Sequence, residues 1–204
     1  MTHFLESERL YFKGIELCDL SDRYVVWMND PDISQFMETW HFPHTKANIE
    51  EYIRAHTNDR DEPFFGIMLK ALQSKNELKR VGEKFGVPSL EYELVKNNFQ
   101  VDRHIGNIKL GPINFIHRYA DVSLFIGEKD LRSHGYGTEA IKLLTEYAFK
   151  RLNLHKLRAG IYSRNVASLH AFQKAGFEKE AMLRNHVWFN GEYIDMILMG
   201  KINV

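Results

Sequence analysis

The sharpest patterning of apolar and polar positions lies in the second half of the chain. Val122-Ser-Leu-Phe-Ile-Gly127 is apolar and built of β-formers, so it predicts a buried strand. Glu128-Lys-Asp-Leu131 follows, and then Arg132-Ser-His-Gly-Tyr-Gly-Thr138, with two glycines one residue apart. From there the period changes. Ala140, Ile141, Leu144 and Ala148 fall on one helical face, with Lys142, Glu146 and Lys150 between them, which predicts a helix to Arg151. Strand, glycine-rich turn and helix therefore succeed one another.

Upstream, Arg9-Leu-Tyr-Phe-Lys-Gly14 reads as a first strand. Asp19 or Ser21 can cap a helix through Tyr24, Val25, Trp27 and Met28, ended by Asn29-Asp30-Pro31. Thr45 can cap a second helix carrying Ile49, Tyr52 and Ile53. Pro63–Lys70 and His104–Leu110 read as strands. The stretch 71–103 between them is charged and far longer than a hairpin loop, so it reads as an insertion, with a further strand at Val87–Val95. Downstream, Lys156–Tyr162 is a buried strand. Asn165 or Ser163 caps a helix through Leu169, Phe172 and Ala175, and Gly176 stops it. Asn190-Gly191 between alternating segments marks a type I′ hairpin, followed by a strand over Met196–Lys201. The sum is a mixed α/β single domain: strands first, then βαβα, then a terminal hairpin.

Composition narrows the function classes. The 204 residues contain 27 Lys+Arg and 27 Asp+Glu, a net charge of zero, which argues against a broad nucleic-acid surface. The polar N-terminus has no signal-peptide character, and no apolar run is long enough to span a membrane. The single cysteine, Cys18, fits a reducing compartment and reads as buried packing. No spacing among His, Cys, Asp and Glu resembles a metal site. A cytoplasmic protein, monomer or homodimer, is expected.

The turn carries the candidate chemistry. A glycine-rich turn at a helix start exposes unpaired N–H groups at the positive end of the helix dipole, which suits a phosphate or diphosphate. It matches neither the Walker nor the dinucleotide spacing. Other groups invite weaker readings. The aromatic segment Phe36–Phe42 reads first as packing beneath a loop and second as a wall of an acceptor pocket. His117 and His186 read as surface histidines before acceptor-site ones.

Several features then coincide: Arg132-x-x-Gly135-x-Gly137, Asn165-x-x-Ser168, Ala175-Gly-Phe177 and the Asn-Gly hairpin, in this order. Together they resemble the GNAT superfamily of acetyl-CoA-dependent N-acyltransferases, in the branch holding ribosomal-protein N-terminal and amino-sugar acetyltransferases. The resemblance covers nearly the whole chain apart from 71–103. It implies a mostly antiparallel sheet with one parallel, splayed strand pair and helices on both faces. It also implies acetyl-CoA as co-substrate and no metal. Backbone amides of Arg132, Ser133, His134, Gly135, Tyr136, Gly137 and Thr138 would hold the diphosphate. Phe125, Ile126 and Gly127 would pair with the pantetheine arm and offer an amide to the thioester oxygen. Asn165 and Ser168 would line the far side, with Phe172 and Lys174 flanking the cofactor. Asp121 stands where relatives keep a general base; otherwise it is a strand-end carboxylate held by Arg118 or by solvent. Phe172 stands where many relatives carry a Tyr as general acid, so Ser168, a water on Asn165, or no acid at all would have to serve. The acceptor expected is a primary amine: Phe36–Phe42 and Ile113–His117 offer side chains to stack on a sugar or nucleobase, which puts a nucleotide-linked amino sugar first, a protein N-terminus second and a polyamine or antibiotic amine third. A sensor that binds acetyl-CoA without turnover is the alternative.

Overall fold

A computed structural model gives the placement of residues 3–71 and 102–204. In chain order the elements are β1 (Leu5–Glu6), β2 (Leu10–Gly14), α1 (Asp22–Asn29), α2 (Pro31–Ser34), α3 (Lys46–His56), β3 (Phe64–Leu69), β4 (Arg103–Leu110), β5 (Tyr119–Ile126), α4 (Tyr136–Lys150), β6 (Lys156–Tyr162), α5 (Val166–Lys174), β7 (Glu178–Phe189) and β8 (Glu192–Ile202). The strands form one sheet in the order β1-β2-β3-β4-β5-β6-β8-β7. Every named pairing is antiparallel except β5 with β6. The expected insertion, with its strand at Val87–Val95, falls almost wholly outside the described residues.

The local signals explain most boundaries. Ser21, not Asp19, caps α1 by accepting the Tyr24 N–H. Thr45 and Asn48 form a reciprocal capping box on α3. Asn165, not Ser163, caps α5, and Gly176 follows that helix at φ 86°. Asn190 (φ 48°) and Gly191 (φ 88°) make the left-handed pair that a tight hairpin between β7 and β8 requires. Pro31 does more than end α1. With Asp30 as cap it occupies the first turn of the short α2, where its missing N–H has no partner to lose.

Two apolar layers sandwich the sheet. One packs α4 and α5 (Tyr136, Ile141, Leu144, Phe172) against β2 to β6 and β8. The other packs α1, α2 and α3 (Trp27, Ile33, Ile49, Ile53) on Phe64 and Phe125. A third cluster joins Tyr162, Val187, Phe189 and Ile194, with Phe36 leaning on it. Cys18, expected in the interior, is exposed: it lies in a short 3-10 turn whose buried neighbours are Ile15 and Leu20.

The β5–β6 pair decides where a ligand can enter. Just three residue pairs join them: Tyr119 with Lys156, Ala120 with Leu157, and Asp121 with Arg158. Beyond Asp121 the strands part. Val122–Ile126 keeps β4 on one edge, and Ala159–Tyr162 keeps β8 on the other. β5 starts at Tyr119, three residues before the expected Val122, because this non-local pairing extends it.

His104 on β4 is buried against Trp27 and Tyr24, with Nε2 within 3.0 Å of the Gly106 carbonyl and 2.8 Å of Asn107 Oδ1. Burial holds its pKa below the ordinary 6.5. The unfolded chain therefore takes up a proton that the folded chain refuses, and stability is lost as pH falls below about 6.5. Melting scans between pH 7.5 and 5 should show Tm dropping at the acid end, by no more than about 4 °C per pH unit from this group. His104→Gln should flatten that limb; parallel limbs in the two proteins would assign the loss to other groups.

Candidate active site

The turn between β5 and α4 is shaped by two left-handed residues, Ser133 (φ 64°) and Gly135 (φ 81°). Gly135 is the N-cap of α4 and no side chain caps the helix. The amides of Tyr136, Gly137 and Thr138 have no helical carbonyl within reach, and no described acceptor takes the N–H of Ser133, His134 or Gly135. Six consecutive amides thus remain for an anion. Arg132, expected among them, is not one: its N–H donates to the Lys129 carbonyl, and its guanidinium reaches the Asp32 carbonyl at 3.0 Å. Gly137 has ordinary helical backbone, and a Cβ there would meet nothing closer than Leu124 Cδ1 at 3.9 Å. Neither backbone strain nor packing demands glycine at 137. A ligand approaching the helix end would.

Amide direction along β5 follows from its pairing. Asp121 accepts from Gly111 and Gly127 donates to Ile105, each at 2.8 Å, so odd-numbered residues from 121 to 127 turn their main-chain groups towards β4. Val122, Leu124 and Ile126 turn theirs towards the parting with β6. Of the expected Phe125–Gly127 set, Ile126 alone offers its amide to the gap, and Leu124 joins it. Gly127 has a packing reason instead: a Cβ there would stand 2.2 Å from the Trp27 ring.

The parting opens into a cleft of about 880 Å3. One wall holds Val122, Leu124 and Phe125, and the opposite wall Ala159, Ile161, Tyr162, Asn165, Ser168 and Phe172; Tyr24, Tyr52 and Phe36 line it as well. Asp121, Phe125, Asn165, Ser168 and Phe172 are therefore brought together as expected. Lys174 is not: it is exposed and outside the lining. Asn165 Oδ1 is committed to capping the Ser168 N–H at 3.1 Å. His117 and His186 are exposed and do not line the cleft, and neither do Phe42, Phe115 or Ile116, which are 73%, 57% and 87% exposed. Phe36, Met37, Glu38 and Thr39, from the same aromatic segment, do line it.

Three carboxylates line the cleft among the described residues. Both oxygens of Asp121 are held by Arg158, at 2.8 and 3.1 Å, and not by the expected Arg118, whose guanidinium binds Asn153. Glu180 pairs with Lys156 at 2.6 Å. Glu38 has no ion-pair partner among the described residues. It stands near Tyr162, whose hydroxyl is pushed above its ordinary pKa by burial and then by the Glu38 charge. Tyr162 therefore stays protonated at neutral pH. Neither Glu38 nor Tyr162 stands out in the sequence, since a lone Glu among aromatics and a Tyr ending a strand carry no spacing signal. No group of three or more His, Cys, Asp or Glu is placed to hold a metal ion among the described residues. No helix among them is long and apolar enough to cross a membrane.

Residues 9–178 match the acetyltransferase (GNAT) domain. The chain belongs to the GNAT acetyltransferase family. Its mostly antiparallel sheet with one parallel pair is shared with the spermidine N-acetyltransferase from Vibrio cholerae in complex with CoA and spermine. The TM-score is 0.73 at 22% identity, over 96% of both chains, so the likeness is one of fold. Among curated GNAT relatives, the probable N-acetyltransferase YjcK of Bacillus subtilis is 38% identical over 105 residues, 50% of this chain and 56% of that protein. Spermidine N(1)-acetyltransferase of Escherichia coli is 34% identical over 94 residues, 46% of this chain and 50% of that protein. The matched region thus spans about half the length of these relatives. A donor carrying a diphosphate and a narrow amide-bearing arm fits this GNAT site on the chain's own terms. Ile126 and the turn residues 132–138 lie outside the cleft's lining, but the open space at Gly137 is next to it: a Cβ there would lie 3.9 Å from Cδ1 of Leu124, which does line the cleft.

Proposed function

We propose that the protein is an acetyl-CoA-dependent N-acetyltransferase whose acceptor is a small cationic amine. The observation that carries this reading is the placing of the amide-rich turn beside Leu124, on the unpaired β5 edge that lines a cleft holding one uncommitted carboxylate, Glu38. Acetyl-CoA supplies the activated thioester. The amides of Ser133 to Thr138 hold the diphosphate, and those of Leu124 and Ile126 align the arm, with one of them facing the thioester oxygen. Glu38 holds the acceptor's ammonium, which loses one proton to solvent to give the free amine; as the N–C bond forms and the C–S bond breaks, Glu38 takes the second proton from the nitrogen. The leaving sulfur takes its proton from Tyr162 or Ser168, hydroxyls on the same wall as Phe172, which has none to give. Asn165 shapes that wall as the cap of α5. Asp121 is assigned a holding role through Arg158.

Cationic amines are favoured over an amino sugar on two grounds. Of the segments that suggested sugar stacking, only the start of Phe36–Phe42 reaches the cleft, and Phe115 and Ile116 face solvent. The spermidine enzymes named above also share sequence with half of this chain. Aromatic walls beside a carboxylate suit an alkylammonium chain. The deciding experiment measures thiol release from acetyl-CoA with spermidine, glucosamine, or a peptide with a free N-terminus. Turnover with spermidine is expected. Turnover with the peptide alone would move the acceptor to a protein N-terminus. Binding of CoA without turnover on any amine would make the protein a sensor, and absence of CoA binding would overturn the reading.

A further inference from the structure

Arg9 stands just before β2 and is 2% exposed, the most deeply buried charged side chain among the described residues. Its contacts converge on one place. Nε donates to Glu139 Oε2 at 2.7 Å, the Arg9 amide donates to Glu139 Oε1 at 2.9 Å, and Nη1 donates to the His134 carbonyl at 2.9 Å. The guanidinium lies 4.3 Å from the Tyr136 ring centre, and Ser7 Oγ completes the Glu139 carboxylate at 2.8 Å. Burial pushes the Tyr136 hydroxyl up to about 12, so that ring stays a neutral lid on the cation. Residues 134, 136 and 139 belong to the turn and the first helical turn after it. Arg9 comes to them from 125 residues earlier in the chain.

A buried ion pair is weak evidence of stabilisation, because desolvating two charges offsets most of their attraction. Its placement suggests another use. A peptide unit is planar and trans, so its C=O and N–H point in opposite directions. Arg9 draws the His134 carbonyl inward, and the N–H of Gly135 is thereby turned outward, away from the guanidinium. Gly135 at φ 81° leaves that peptide otherwise easy to flip. Glu139 raises a second need. A bare carboxylate in the first turn of α4 would oppose an anion at the same helix end, and Arg9 cancels its charge.

We infer that Arg9 is a positioning residue for the donor's diphosphate. It fixes the orientation of the Gly135 amide and neutralises Glu139, without touching the ligand itself. The inference rests on the reading that the turn between β5 and α4 takes the diphosphate of acetyl-CoA. It goes further in making one buried cation responsible for the turn's affinity.

The test compares coenzyme A with pantetheine, which lacks the diphosphate, by calorimetry or competition on the full chain, so no acceptor is needed. Wild type should bind coenzyme A far more tightly than pantetheine. Arg9→Met should weaken coenzyme A at least tenfold and leave pantetheine within about twofold. Arg9→Met combined with Glu139→Gln should recover part of the loss, because the opposing charge is gone. Equal losses for both ligands would mean a merely structural role, and no loss for either would mean no role; each overturns the inference. If Arg9→Met does not fold, Arg9→Lys replaces it: the cation is kept but cannot reach Glu139 and His134 together. A smaller loss confined to coenzyme A is then expected, and wild-type binding of both ligands would overturn the inference. Should wild type itself show no preference for coenzyme A over pantetheine, the diphosphate reading fails first and the role of Arg9 falls with it.

Discussion

Gly137→Glu is expected to abolish coenzyme A binding while raising thermal stability. The backbone at 137 is helical and a Cβ meets nothing closer than 3.9 Å, so the fold accepts the side chain. Replacing glycine inside a helix gains up to about 1 kcal/mol in propensity. A carboxylate in the first helical turn adds a few tenths of a kcal/mol through the dipole. For a chain of this size that is roughly 2–4 °C in Tm. The same carboxylate occupies the space in front of the amides of Tyr136 to Thr138 and meets the ligand's charge with its own. Affinity for coenzyme A should fall at least a hundredfold, about 2.7 kcal/mol. Gly135→Glu should lose binding too, but with stability reduced by about 1–2 kcal/mol, because residue 135 is left-handed. Melting curves with and without coenzyme A separate the two effects. An undiminished ligand-induced shift in Gly137→Glu would remove the turn from the binding site.

Glu38→Gln should lower kcat/KM for the acceptor amine by about a hundredfold, the usual scale for a positioned base, and leave coenzyme A affinity unchanged. Glutamine keeps the size of the side chain while losing both the charge that holds an ammonium and the basicity that accepts a proton. Asp121→Asn is the matched control. Asp121 and Arg158 are each nearly half exposed, so their pair contributes no more than about 1 kcal/mol. The variant should cost only a few-fold in rate, with the pH–rate profile unmoved. The reverse pattern, an active Glu38→Gln beside an inactive Asp121→Asn with a shifted profile, would return the base role to Asp121.

These two residues mark the boundary between what the sequence carries and what it does not. The strand Lys156–Tyr162 is observed with the expected ends, because alternation and burial are local properties. The hairpin at Asn190-Gly191 was equally legible, since left-handed φ values leave few residue choices. The turn at Gly135 could be read for the same reason. Glu38 could not, because its significance lies in what it lacks: both other carboxylates at the cleft are paired, and pairing is a property of the folded chain. Arg9 preceding an apolar strand looks like an ordinary solvated end until the chain closes and brings Glu139 to it. Cys18 failed in the opposite sense. Its residue type is usually interior, but a short 3-10 turn leaves it outside. Which amides of β5 face the gap depends on strand parity, and parity is set by a non-local bond, that from Gly127 to Ile105.

The brevity of the parallel join has a consequence for selectivity by thickness. An unpaired strand edge on an outer rim invites another protein's strand and hence aggregation. The unpaired edge of β5 is instead internal, walled by α4 on one side and by the α1 and α3 layer on the other. Another protein's strand would have to bring its side chains in between those two layers, whereas on the proposed reading a slender, amide-bearing thread needs room for little more than its own backbone. On that reading the gap that leaves the sheet incomplete acts as a gauge, favouring a linear cofactor arm over the partners that open edges otherwise attract.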